Sequence, residues 1–391
     1  MCFELIAYYF AAPYIILLAL DEKRGLFDAM SSPSVRFWGY ALLVGLYPLL
    51  QSIISPYIGR YLDQIQAKVR VLQNIHLANC ICYLLLALAA YMNSLSIALI
   101  GLAIPGFAGC LSPVGKSLIS SLTDPQARVK EFAKIAFIKG AVKLIAPLIG
   151  VFIFEWYLDK ASYSPLFCLS AGFSLCCFLF SFSLPKAICE YREPQKTKPP
   201  YMLFVAFVKQ NFVAVSIFIS LLLGSSLIVR FTPVVFHTAL SDTPSLVNYF
   251  SSLVGFSYAI NQLITWRFAD RLQSFLPAIF ILLCATSFLF SVTTFSPLWC
   301  LLLLSILFCF SVLTTCTEAK LSLATRSSTQ GTLQGILYSI ENCSYLAAPF
   351  IGTALVSIHT LYPLYFVLIL SLIATVAFMR LSTKQIHNLA E

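Results

Sequence analysis

Lys139 and Lys143 stand four residues apart inside a long apolar run, and Pro147 follows four further on, so all three share one face if the run is helical. An ionised side chain at mid-membrane costs about 2.5–3.5 kcal/mol on insertion scales, so charges that persist there face water or a partner. A cationic stripe of this kind suits an aqueous path. Glu341 and Asn342 make another apolar run polar at the equivalent depth, and Lys116 and Glu318 lie at the ends of two more. Opposite charges at such ends can pair as a gate, the alternative for Lys116, Glu318 and Lys139 being snorkelling into the inner headgroups. Arg230, just before Pro233, is a fixed cation that favours an anionic or zwitterionic ligand, unless it pairs with Glu155. Glu4, Glu318 and Glu341 are candidate proton carriers, Glu4 foremost as the most isolated.

Tyr9, Gln51, Asn261, Gln262, Thr315, Tyr338 and Asn342 add polar groups to apolar runs, as lining of a substrate cavity or as bonds between helices. The thirteen cysteines show no CxxC spacing and the four histidines are far apart, so neither disulfides nor a metal site is expected. No phosphate-binding Walker loop and no nucleophile–base constellation stands out, which argues against ATP as the energy source, against an enzyme and against a cofactor.

These residues need elements to position them, and composition says which. Of 391 residues 59% are apolar and 10% charged, a balance typical of polytopic membrane proteins. Breaks at charges, Pro and Asn place apolar spans at about 2–20, 37–57, 71–92, 95–118, 135–155, 164–184, 210–235, 247–266, 276–294, 297–317, 334–356 and 362–380. The expected fold is an all-α membrane protein of twelve transmembrane helices in two pseudo-symmetric six-helix bundles, residues 1–184 and 210–380. A flexible basic connector joins them at 185–209 and a tail follows at 381–391. The first span holds Glu4 and lacks a basic start or a small-residue cleavage site, so it is expected to be retained rather than removed as a signal.

The bundles look duplicated. Ile145-Ala146-Pro147-Leu148-Ile149-Gly150 returns 202 residues later as Ala347-Ala348-Pro349-Phe350-Ile351-Gly352, and that offset carries Lys116 onto Glu318 and Lys139 onto Glu341. Equivalent positions near an axis along the membrane normal approach each other, so Lys116–Glu318 and Lys139–Glu341 are the expected cross-half pairs. With both termini cytoplasmic, 17 Lys and Arg fall on the inner side, Arg380 included, against 4 in the outer loops. The formal net charge of +9 is then a topology signal with attraction to anionic inner-leaflet lipid, not a sign of nucleic-acid binding.

Between the second and third spans stands Gly59-Arg60-Tyr61-Leu62-Asp63, then Lys68 and Arg70; between the eighth and ninth stands Trp266-Arg267-Phe268-Ala269-Asp270-Arg271. These resemble the cytoplasmic loop signature of the major facilitator superfamily, departing from it at Gln64 and Gln66. Asp63, near a helix end, is placed to accept bonds from exposed backbone donors as a conformational latch. Thr123-Asp124 with Arg128 and Phe132, and Gln330-Gly331-Thr332-Leu333-Gln334-Gly335 before Ala348-Pro349, resemble the tetracycline-type drug/proton antiporter branch. The fifth span departs from that branch's glycine-rich pattern and carries Lys139 and Lys143 instead. The weaker likeness of Glu4, Tyr8, Tyr9, Lys116 and Glu318 to proton-coupled peptide importers lacks that family's first-helix motif. The resemblance implies a monomeric secondary transporter in the inner membrane of a bacterium, moving a small molecule by alternating access with proton coupling. Efflux, uptake of an anionic or zwitterionic metabolite, and a non-transporting receptor on the same scaffold all remain open.

Overall fold

The computed structural model describes the chain outside residues 1, 22–24, 28–30, 65–67, 109–113, 115, 117–127, 158–161, 184–199, 241–243, 294–296, 324–329, 360 and 381–391. The described residues form α1 (Cys2–Leu20), α2 (Pro33–Gln64), α3 (Lys68–Met92), α4 (Leu95–Ala108), α5 (Arg128–Tyr157), α6 (Ser164–Ser181) and α7 (Pro200–Gln210). They continue with α8 (Phe212–Leu240), α9 (Pro244–Arg267), α10 (Ala269–Ser274), α11 (Leu276–Val292), α12 (Pro297–Ser322), α13 (Gln330–Ile358) and α14 (Tyr362–Arg380). Setting aside the short α7 and α10 leaves twelve, six before the connector and six after it. A chain solvated by lipid must satisfy its backbone internally, and runs this apolar on every side do so as helices.

Several helices overrun the apolar spans that nucleate them. Only about 20 residues cross the hydrocarbon, and nothing in the flanking sequence breaks the helix at its edge. Thus α2 continues through Asp63, and α13 begins at Gln330 rather than at residue 334. The end of the connector, expected to be flexible, is the helix α7, whose Phe207 packs with Val215, Phe218 and Leu222 of α8. Residues 185–199 and the tail lie outside the described residues.

Seven of the described helices are long and apolar enough to cross a membrane by themselves, while α4 and α11 are apolar but shorter. The more polar α9 and α13 lie against α5 and α2, and these two pairs form the seam between the halves. Along α2 and α13 the contacts run antiparallel from end to end: Phe37 to Thr353, Trp38 to Phe350, Gly45 to Leu346, Ser52 to Ser339 and Gly59 to Gly331. Away from the seam, Leu84 and Leu88 of α3, Phe288 of α11 and Ile369, Leu372 and Ile373 of α14 are exposed, as lipid-facing side chains are.

Candidate functional site

At one end of the seam, Asp63 of α2 reaches across to the start of α13. Its carboxylate accepts bonds from the backbone N–H groups of Gly331 (2.8 Å) and Thr332 (2.7 Å) and from the Thr332 hydroxyl (2.7 Å). The first N–H groups of a helix have no acceptor within it and carry partial positive charge, so Asp63 acts as an N-cap supplied by the other half. Close approach makes this possible. A Cβ at Gly59 or Gly331 would collide with the backbone of the facing helix, and one at Gly335 would collide with the carbonyl oxygen of Ser55. Ser55 and Gly59, four apart, face Gly331 and Gly335, also four apart, in the small-residue packing that lets helices touch at their backbones. Sequence reading singled out Gly59 but missed this partner, although the four-residue spacing was the available signal.

Deeper in, Lys116 donates to the Glu318 carboxylate. The two positions are 202 apart, the offset of the duplication, so the pair lies where the pseudo-twofold axis passes between the halves. Both side chains are largely buried, and Phe132 of α5 places its ring 5.9 Å from the Lys116 ammonium. Glu341 is close enough to interact electrostatically with Lys116, yet its hydrogen bond is with the Tyr345 hydroxyl, at 2.9 Å. No Lys139–Glu341 bond occurs among the described contacts. Instead α5 presses its Gly140 onto Ala259 of α9.

Above this pair sits a cationic centre. Lys143 lies over the Tyr9 ring and Arg230 over the Tyr345 ring, each at 5.9 Å. The two cations lie close enough to interact with each other as like charges. Arg230 also donates to the Ser226 hydroxyl at 3.2 Å. Among the described side chains neither cation bonds a carboxylate; the side chain of Glu155, the alternative partner for Arg230, lies outside the described set. Half-buried positive charge held between two phenol rings can take an anion with an aromatic or apolar body.

Several cavity candidates turn out to be engaged between or along helices. Gln51 is fully buried and donates to the carbonyls of Pro105 (2.8 Å) and Gly106 (3.1 Å) in the last turn of α4, where carbonyls lack partners within the helix. Gln262 donates to the hydroxyls of Ser311 (2.7 Å) and Thr315 (2.9 Å), joining α9 to α12. Asn261 bonds Ser257, and Asn342 bonds the carbonyl of Tyr338, both buried; Tyr338 itself is half-buried. In an apolar helix such groups bind neighbours when no water reaches them.

Glu4 is likewise not isolated. It is buried and bonded to His76 (2.8 Å) and Asn79 (2.6 Å) of α3 and to Ser174 (3.2 Å) of α6, partners 72, 75 and 170 positions away in the chain. Arg70 and Arg271 are exposed. The side chains of Lys68 and Asp270, together with Thr123 and Asp124, lie outside the described residues.

Two helical halves in membrane, meeting at a bonded seam beside a charged centre, have the architecture of a membrane transporter. The chain belongs to the Major Facilitator Superfamily, whose model matches residues 2–321. It is a multi-pass membrane transporter. It is 25% identical over 323 residues to the class D tetracycline resistance protein of Salmonella ordonez, across 79% of this chain and 78% of that protein. The class B tetracycline resistance protein of Escherichia coli is 24% identical over 327 residues, across 79% and 77%. In fold it resembles the human organic anion transporter MFSD10 (TETRAN), with a TM-score of 0.73 and 17% identity over 96% of both chains. It also resembles a bacterial homologue of the iron transporter ferroportin in an outward-facing state, with a TM-score of 0.72 and 16% identity over 98% of this chain and 96% of that one.

Proposed function

We propose that this chain is a proton-coupled exporter of amphiphilic organic anions or zwitterions, acting as a monomer in the inner membrane of a bacterium with both termini cytoplasmic. The observation that carries this reading is the Lys143–Arg230 centre flanked by Tyr9 and Tyr345, two cations without a described carboxylate partner. An anionic substrate supplies the missing charge and its apolar body the contact with the rings. The similar proteins, tetracycline resistance proteins and an organic anion transporter, point the same way.

The inner gate consists of the Asp63 cap on α13 and the Lys116–Glu318 pair. Lys116 interacts with two carboxylates, Glu318 and Glu341, so the group is electrically neutral when one proton is bound. Taking up that proton weakens the hold on Lys116 and lets the inner ends part. Glu4, with three donors on its carboxylate and described partners only on α3 and α6, is left out of this coupling.

Proteoliposomes with an imposed pH gradient and a panel of organic anions, zwitterions and cationic dyes test the reading. Anions should move against the proton gradient, and Lys143→Gln and Arg230→Gln should each raise KM for them about tenfold or more, the worth of one hydrogen bond to a charged group. Movement of cations alone would overturn the substrate class. Uptake driven with the proton gradient would favour import of an anionic metabolite. No movement of any substrate would favour the receptor reading.

A further inference from the structure

Sequence spacing offered no metal site, but the fold assembles one candidate from α1, α3 and α6. His76 and Asn79 lie one turn apart on α3, Ser174 and Cys177 one turn apart on α6, and α1 brings Glu4 between them. A carboxylate oxygen of Glu4, a ring nitrogen of His76 and the Cys177 sulfur all lie within 4.8 Å of one another. All three residues are buried, at 4%, 5% and 6% exposure. We infer that Glu4, His76 and Cys177 bind one borderline divalent transition-metal ion of the Zn²⁺ type, pinning α1 to α3 and α6.

The chemistry suits this donor set. Tetrahedral Zn²⁺ takes ligands at about 2.0–2.3 Å, which separates them by about 3.3–3.7 Å, so side-chain shifts of about an ångström complete the site. Oxygen, nitrogen and thiolate donors together suit zinc and its neighbours rather than magnesium or calcium. Asn79 and Ser174, bonded to the second Glu4 oxygen, hold the carboxylate in place as outer partners do in metal sites. On binding, the ion replaces the Glu4–His76 hydrogen bond, the imidazole proton resides on Nε2, and the Cys177 thiol gives its proton to solvent. One carboxylate, one thiolate, one neutral imidazole and a divalent ion then sum to zero charge, the state a membrane interior tolerates best. A water or the Asn79 amide oxygen fills the fourth position.

The test uses the full chain purified in detergent through an affinity tag free of histidine. Wild type titrated with Co²⁺ should develop tetrahedral d–d bands and a thiolate-to-cobalt charge-transfer band that saturate at one ion per chain, and Zn²⁺ should displace it. Cys177→Ser should abolish the charge-transfer band, and His76→Gln should weaken binding tenfold or more. Cys300→Ser, an exposed cysteine on α12, should leave both unchanged. Absence of these bands in the wild type would overturn the inference without recourse to any variant. A charge-transfer band that survives Cys177→Ser would overturn it equally.

Discussion

Replacing Asp63 with alanine should free the first turn of α13 and loosen that end of the seam. Two of the three bonds that Asp63 accepts come from backbone N–H groups with no acceptor in their own helix, because Gly331 and Thr332 are the second and third residues of α13. An N-cap side chain contributes about 0.5–2 kcal/mol, and a negative charge at a helix start adds about 0.3–1 kcal/mol. Together they bias the seam toward its closed state at this end by roughly 2 kcal/mol, which corresponds to a shift of about 30-fold in the conformational equilibrium. Amide hydrogen exchange read on peptides spanning residues 330–336 is the direct assay, since protection of these amides depends on Asp63. The exchange of that segment should accelerate by about the same factor in Asp63→Ala. Asp63→Asn, which keeps an acceptor but loses the charge, should give a smaller acceleration. Unchanged exchange there in Asp63→Ala would refute the capping account.

Charge exchange at the axis offers a second measurement: Lys116→Glu and Glu318→Lys should each impair flux, and the double variant should restore part of it, because the pair needs opposite charges rather than a given order. Absence of rescue would show that neighbouring groups such as Glu341 fix the polarity. Gln262→Leu should cost about 1–2 kcal/mol of stability, seen as a lowered Tm, while KM stays unchanged, since Gln262 ties α9 to α12 through Ser311 and Thr315. A raised KM with unchanged Tm would return Gln262 to the substrate cavity.

The number and order of helices could be read from apolar runs because each span reports on itself. The Lys116–Glu318 contact was legible for a different reason: the duplication supplies a frame in which distant positions become equivalent, so two charges 202 apart could be matched without a fold. Where neither local pattern nor symmetry spoke, sequence reading fell short. For Gln51 and Gln262 the sequence left open whether they line a cavity or bond a neighbouring helix, because a polar residue in a span does not say which face meets a neighbour. Glu4 looked isolated because its three partners come from other helices. The overrun of α13 to Gln330, which brings its first turn under Asp63, was hidden because span detection follows hydropathy and stops where the polar residues begin.

The pair on the pseudo-twofold axis also constrains how such a chain could arise. Were the halves identical subunits of a dimer, the residue at that point would face its own copy, and a lysine would meet a lysine or a glutamate a glutamate. Complementary charge at a self-facing position can evolve only once the two halves are encoded by separate copies that mutate independently. Lys116 and Glu318 are thus a mark of divergence after duplication: their attraction is an interaction that no symmetric ancestor could encode.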